Sequence, residues 1–369
     1  MKVGSGFPAD PDVAFKFGCG RFRQEEHLLE NCAEEVVRFG RHPLFVCDDT
    51  TYDLAYAPVA ASLRGAGIEP KVLRHNGFCC RETALEHAAA GVLDGVDVVL
   101  GCGGGIVIDF AKCLACLADV PIVTMPTSSA TCCAFTPIAV GYSTEGRYIS
   151  TTFCRREVAA ALLDMTILSR QPVRLLVAGA CDAMAKKIEI EFWNSLPGSA
   201  GNAAASGIAA VVSDFIYANL DLKIDAAVRD LRNGRPTPTL DEVVFLSIVG
   251  AGVVSGISGG ARQTALAHGF YFFVRDEYGR DGYRFTHGEL VATGLVLQLA
   301  YYGRMDEAEA FATRLHGWGL AASLGDLGLA HGEKEFEDCC RYLCGMNEMK
   351  AAGEAAVPRL RKAMRSVFR

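Results

Sequence analysis

The chain has 369 residues, half of them hydrophobic, with a mean hydropathy of +0.20 and a formal net charge of −7. That length exceeds what one ordinary core serves, so two domains are expected, with a well-filled interior or a large subunit interface. The acidic balance excludes a nucleic-acid binder, which needs a concentrated basic face. No stretch reads as a membrane span, and Met1-Lys2-Val3-Gly4-Ser5 opens no signal-peptide core, so a cytoplasmic protein without a membrane partner is expected.

Up to about residue 150, short apolar runs alternate with helical stretches. Leu44-Phe45-Val46-Cys47 ends at Asp48-Asp49, then come Lys71-Val72-Leu73, Val96 to Leu100, and Ile122 to Met125 before Pro126. Strands alternating with helices predict a parallel sheet covered on both faces. The third run feeds Gly101-Cys102-Gly103-Gly104-Gly105, which opens a stretch from Ile106 to Leu117 free of Pro and Gly. A strand, a glycine-rich turn and a helix start suit a phosphate: glycine admits close approach, and the first helical N–H groups carry partial positive charge. The same residues also suit an ordinary tight strand–helix turn. Asp48, at a strand's carboxyl end more than fifty residues before the glycines, either accepts from an adenosine ribose or caps a helix. Its charge would repel a 2′-phosphate, which favours NAD(H) over NADP(H).

From about Leu162 strand signals fade and Ala/Leu/Val-rich helical patterns dominate. The predicted organisation is an α/β dinucleotide-binding domain over 1–160 and an all-α domain over 161–369. Val243 to Ala261, interrupted by Gly250, Gly252, Gly256, Gly259 and Gly260, reads as a packed helix. Arg359, Arg361, Lys362, Arg365 and Arg369 read as the wet side of a terminal amphipathic helix. The fifteen cysteines are odd in number and scattered, so most read as buried, reduced side chains. Cys113 and Cys116 form a lone CxxC without a second at zinc spacing, and Cys339, Cys340 and Cys344 fall in a late helical segment.

The helical half carries a candidate metal set: Asp182, His268 and His287. The first two stand in apolar helical surroundings, where an unpaired polar group is costly. Thr286-His287-Gly288-Glu289 has the form of a capping box, placing His287 in a first helical turn. One carboxylate and two imidazoles leave a tetrahedral cation one open position, for water or substrate. Each histidine also has a simpler reading as a satisfied core residue.

Taken in order, the glycine loop with Asp109 and Lys112, the Pro126-Thr127 turn and the Asp182/His268/His287 trio resemble the glycerol dehydrogenase group of iron-type, metal-dependent alcohol dehydrogenases. The resemblance runs from Phe17-Gly18-Cys19-Gly20 to about Ala300. It implies a dehydroquinate synthase-like fold: an amino-terminal α/β dinucleotide-binding domain, an all-α carboxyl-terminal domain, and a catalytic cation between them, zinc favoured over iron. It implies cofactor contacts at Asp48, Gly103, Gly104, Gly105, Asp109, Thr127, Thr136, Ile138 and Tyr142. It also implies a homo-oligomeric enzyme acting on a small molecule.

Departures from that group point to the substrate. Its polyol-contacting aspartate is replaced by Cys132, and Ala130 and Ile106 stand where serine and lysine are usual. Lys186 stands where iron alcohol dehydrogenases have a metal-binding histidine, and Tyr271 where glycerol dehydrogenases often have a second histidine, which leaves the proton relay open. Ala130-Thr131-Cys132-Cys133-Ala134-Phe135-Thr136-Pro137 and Asp182 to Lys186 are more similar to the hydroxycarboxylate dehydrogenase, or 2-oxoacid reductase, branch. Losing an acid and gaining an ammonium one turn from a metal ligand favours a carboxylate substrate bound by Lys186 and Cys132. Lys186 could equally be a surface lysine. The alternatives are a glycerol or polyol dehydrogenase and a non-redox phosphate-substrate relative. The second needs a Lys/Arg cluster of which the cleft motifs supply mainly Lys186.

Overall fold

The computed structural model describes residues 17–196, 203–259 and 262–369. The amino-terminal segment on which the absence of a leader was argued lies outside these, as do Gly260 and Ala261 of the glycine-interrupted stretch.

The first half is built on a six-stranded sheet with every recorded pairing parallel, in the order β1-β8-β5-β4-β2-β3. The strands are β1 (Phe22–Glu25), β2 (Pro43–Cys47), β3 (Lys71–Arg74), β4 (Val98–Gly103), β5 (Ile122–Pro126) and β8 (Ala160–Asp164). The inner four are buried along their whole length, as strands covered on both faces must be, whereas the edge strands β1 and β3 carry exposed charges. Two glycines of β4 serve packing: a Cβ on Gly101 would stand 2.8 Å from the Ala111 Cβ, and one on Gly103 2.8 Å from that of Val107. They let the following helix, Gly105–Ala118, lie close on the sheet.

The strand pattern was expected to fade near Leu162, with a domain limit at 160. Instead β8 runs to Asp164 between β1 and β5, so the sheet crosses that limit. Ala-Ala-Leu-Leu-Asp has helical composition, and burial between two strands overrides it. An antiparallel hairpin, β6 (Ile138–Tyr142) and β7 (Tyr148–Phe153), gave no signal in the sequence because it is only half-buried and carries Gly141.

The second half is helical. Its longest central elements are Val173–Ser195, Ala203–Arg232, Leu266–Tyr278 and His287–Tyr301. Pro238–Ile257 is long and apolar enough to cross a membrane, but 67% of its apolar window is buried, so it is a core helix; it contains a π-turn at Leu246–Gly250. The basic carboxyl end forms the expected amphipathic helix, Val357–Met364, burying Leu360, Ala363 and Met364. Its Arg359 stacks on Tyr301 and Arg361 pairs with Glu337. None of the fifteen cysteines is in a disulfide.

Candidate active site

Strand order explains how residues far apart in sequence meet. From β2 the chain moves outward to β3, then returns to place β4 on the other side of β2. Carboxyl ends of strands flanking such a reversal open a crevice in doubly wound sheets. Asp48 follows β2 and the glycine loop follows β4. Thr51 bridges them, its hydroxyl donating to the Cys102 carbonyl at 3.1 Å. Asp48 caps the short helix after β2, accepting from the Thr51 amide at 2.7 Å, and it also lines the cleft. The cap and the ribose-facing position are therefore compatible.

Gly104 is the N-cap of the Gly105–Ala118 helix and offers that helix no side-chain cap. A Cβ there would have only Ser128 Oγ, at 4.0 Å, within contact range. The open first turn faces a cleft of about 1800 Å³ between the sheet's carboxyl edge and the helical half. Its free N–H groups fit a pyrophosphate. Gly104, Gly105, Thr136, Ile138 and Tyr142 line this cleft. Gly103 and Thr127 are not among the residues that line it; the Thr127 amide donates to the Gly103 carbonyl at 3.1 Å.

Asp109 reaches the wall, but both its oxygens are engaged. One pairs with Lys112 at 3.0 Å and the other accepts from the Val140 amide at 3.0 Å. Buried Lys112 also donates to the Ile138 carbonyl. Burial works against the ammonium's charge, but the surrounding groups, Asp109 foremost, together outweigh it and raise the Lys112 pKa. These two residues anchor the hairpin to the glycine-loop helix.

The metal-type ligands converge from three helices. Asp182 Oδ1 stands 3.3 Å from Nε2 of His268 and 3.3 Å from Nε2 of His287, and the three ligand atoms lie within 4.8 Å of one another. His287 opens its helix as expected: Thr286 Oγ1 accepts from the Glu289 amide and Glu289 Oε2 from the Thr286 amide. Burial opposes ionisation of Asp182, yet the two histidines and Lys186 hold its carboxyl well below the usual range. Burial pushes the His287 pKa down, whereas at His268 the Glu189 and Asp182 carboxylates together outweigh burial and raise it.

Glu189 was missed in the sequence. It is fully buried, accepts from His268 Nδ1 at 2.6 Å, and takes the amides of Ala265 and His268 on its other oxygen. This directs Nε2 of His268 at Asp182, the outer-shell arrangement typical of metal-bound histidines. The available signal was spacing: Glu189 stands seven residues, two helical turns, after Asp182.

Lys186 is not a surface lysine. It is 4% exposed, lines the cleft, and has no hydrogen-bond or ion-pair partner among the described residues. Cys132 lines the cleft too, and burial pushes its thiol up to about 11, so it is neutral at physiological pH. Tyr271 donates to or accepts from Tyr142 at 2.8 Å between hydroxyls, and its ring meets that of His287 edge-on at 4.3 Å. Two further lining residues gave no motif: Glu348, whose carboxyl burial pushes up to about 7, and Arg262.

A profile of the iron-containing alcohol dehydrogenases matches residues 19–164. An uncharacterised oxidoreductase of Synechocystis is 30% identical over 274 residues, covering 72% of this chain and 69% of that protein. The chain belongs to the iron-containing alcohol dehydrogenase family. It is thus an oxidoreductase, and it is also similar to hydroxycarboxylate dehydrogenase A of Escherichia coli, 29% identical over 67% of each chain. Glycerol dehydrogenase of Thermotoga maritima is 25% identical over 89% of each chain. Among solved structures, a probable glycerol dehydrogenase of Sinorhizobium meliloti superposes with a TM-score of 0.80 at 22% identity, covering 95% of this chain and 96% of that one. An α/β sheet domain followed by a helical domain is therefore the family's architecture here as well.

Proposed function

We propose that this member of the iron-containing alcohol dehydrogenase family interconverts a small 2-oxo acid and its 2-hydroxy acid, using a nicotinamide cofactor and one divalent cation. The supporting observation is Lys186: an ammonium 4% exposed, unpaired among the described residues, one helical turn beyond Asp182 and inside the cleft. A buried cation without a partner calls for an anion, and a substrate carboxylate supplies one. Cys132, neutral where a polyol-binding acid would stand, removes the repulsion such a substrate would meet.

Asp182, His268 and His287 would hold the cation; two imidazoles with one carboxylate serve zinc and ferrous iron alike, and the higher intrinsic affinity of such donors for zinc favours zinc. When bound, the cation serves as a Lewis acid toward the carbonyl oxygen and the dihydronicotinamide supplies the hydride. Glu189 orients His268, the open helix turn at Gly104 takes the pyrophosphate, and Asp48 favours NAD(H). Burial holds the Tyr142 and Tyr271 hydroxyls protonated, so the pair can pass a proton from water without losing one for good. The fifteen free cysteines support a reducing, cytoplasmic setting. Ile208, Val211, Phe215 and Leu222, exposed along the Ala203–Arg232 helix, support a homo-oligomer.

The test is a reductase screen of 2-oxo acids, aldehydes and dihydroxyacetone with both reduced cofactors, on wild type and Lys186→Met. A charge-assisted hydrogen bond contributes roughly 1.5–3 kcal/mol, so the variant should lose roughly ten- to a hundredfold in kcat/KM on a 2-oxo acid. Dihydroxyacetone should be little affected. A wild type that reduces dihydroxyacetone and no 2-oxo acid would instead be a polyol dehydrogenase, the activity named for several relatives.

A further inference from the structure

The two cysteines of the lone CxxC turn to different partners. Cys113 points inward, its Sγ 3.7 Å from that of buried Cys79. Cys116, one turn later and only half-buried, shares a hydrogen bond with the thiol of Cys154. Cys116 and Cys154 line one small surface recess, separate from the large cleft, together with Lys112, Asp119, Arg155 and Arg156. Arg156 pairs there with Asp119 at 3.2 Å. Neither Cys79 nor Cys113 lines that recess.

The pair links the glycine-loop helix to the hairpin. Asp109, Lys112 and Cys116 stand at spacings of three and four residues, on one face of the Gly105–Ala118 helix. Asp109 and Lys112 hold the first strand of the hairpin, at Val140 and Ile138. Cys154 directly follows the second strand, and its amide donates to the Pro137 carbonyl at 2.8 Å. The two thiols differ in character. Burial pushes the thiols of Cys32, Cys133 and Cys181 up. Cys116 moves down instead, because Cys154 and the Arg155 backbone donate to its sulfur and Lys112 and Arg155 bring positive charge. That same hydrogen bond, with burial, keeps Cys154 protonated. A partly exposed sulfur inclined to thiolate, touching a protonated thiol, supplies an attacking and a resolving cysteine.

We propose that Cys116 and Cys154 form a reversible disulfide in response to hydroperoxides, and that this bond weakens binding of the nicotinamide cofactor. The Cys116 thiolate attacks one peroxide oxygen and gives it two electrons. The O–O bond breaks, the leaving oxygen takes a proton from solvent, and Cys116 becomes a sulfenic acid. The Cys154 sulfur then attacks that sulfur, and its proton leaves with the sulfenic hydroxyl as water. Two thiols and one hydrogen peroxide thus yield one disulfide and two waters, and a dithiol reverses the bond by exchange. An S–S bond, at about 2.05 Å, is shorter than any hydrogen-bonded contact between thiols. Closure therefore draws the end of the hairpin toward the helix, and Ile138, Val140 and Tyr142, which line the cleft, shift with it. The inference is independent of the substrate and draws on the dinucleotide site alone.

The test treats the reduced full-length protein with hydrogen peroxide, alkylates the remaining thiols and maps disulfide-linked peptides by mass spectrometry. The expected product joins Cys116 to Cys154, costs two free thiols and disappears with dithiothreitol. NADH titration, followed by the fluorescence of the nucleotide, should show Kd raised by roughly fivefold or more after oxidation and restored by dithiothreitol. Cys116→Ser should bind NADH as the reduced wild type does and keep that affinity under peroxide. Damage at Cys132 or Cys133, which line the cleft, would instead be a loss that Cys116→Ser does not prevent, and would count against the proposal. Should Cys116→Ser not fold, the wild-type map and its reversal decide. A disulfide elsewhere, or Cys116 carried to sulfinic acid while Cys154 stays a thiol, would overturn the proposal. A Cys116–Cys154 disulfide with unchanged NADH affinity would overturn its control of the cofactor. A reduced protein that binds no NADH would overturn that control and the dinucleotide reading together.

Discussion

Glu189 carries no substrate and yet governs the geometry of His268. With its carboxylate replaced by an amide, the charge that stabilises the Nδ1–H is lost while the shape is kept. Glu189→Gln should weaken cation binding by roughly 10–100-fold, read by competition with a chelator, and activity should recover at high cation concentration. Glu348 shows what burial does to an unpaired acid: one of its oxygens has no hydrogen-bond partner, and its pKa rises from 4.5 to about 7. Between those values the folded chain holds a proton that the unfolded chain has lost, so stability falls as pH rises through the window. Glu348→Gln should remove this dependence. Its Tm, measured with chelator present because a nearby cation would oppose the shift, should exceed that of wild type by roughly 1–4 °C at pH 8 and by little at pH 4.5. At this scale the trio and Lys186 were legible because their residue types are rare in apolar helical sequence. Glu348 and Arg262 were not, since isolated charged residues signal nothing until the fold buries them.

Glycines decide how closely the helices approach the sheet domain and one another. A Cβ on Gly179 would stand 1.7 Å from the Ser129 carbonyl oxygen, and one on Gly288 2.2 Å from that of Ala178. Both clashes are with backbone, which cannot swing aside. Gly179→Ala should therefore cost about 3 kcal/mol or more, seen as a lower denaturant midpoint, with weaker cofactor binding because Ser129 adjoins the loop that lines the cleft. The cores of β2, β3, β4 and β5 were readable from their apolar runs, as was the capping box that starts the His287 helix. The elements that escaped depend on distant partners: β1 is a four-residue polar edge, β8 becomes a strand only between β1 and β5, and the hairpin is held by Asp109 and Lys112. Local pattern cannot encode a pairing made across more than a hundred residues.

Across the whole molecule, both halves contribute to one cleft, with cofactor-type groups on the sheet's carboxyl edge and cation-type groups on the helices. Because β2 and β4 are neighbours, the chain between Arg74 and Val98 is an outboard excursion that leaves from β3; its Arg81 and Glu82 reach the cleft, but no residue of the turn over 90–95 lines it. Its far turn carries Gly91 and Gly95, both at positive φ, with open space around Gly95. A short Gly-Ser insertion after Gly91 should be tolerated, with Tm and cofactor affinity near those of wild type, whereas the same insertion at Ser128 should abolish both. The chain's topology thus divides it into a region free to lengthen and a region that cannot. A lineage carrying this fold can acquire loops, fused modules or contacts for new neighbours at the sheet's β3 margin without renegotiating its chemistry.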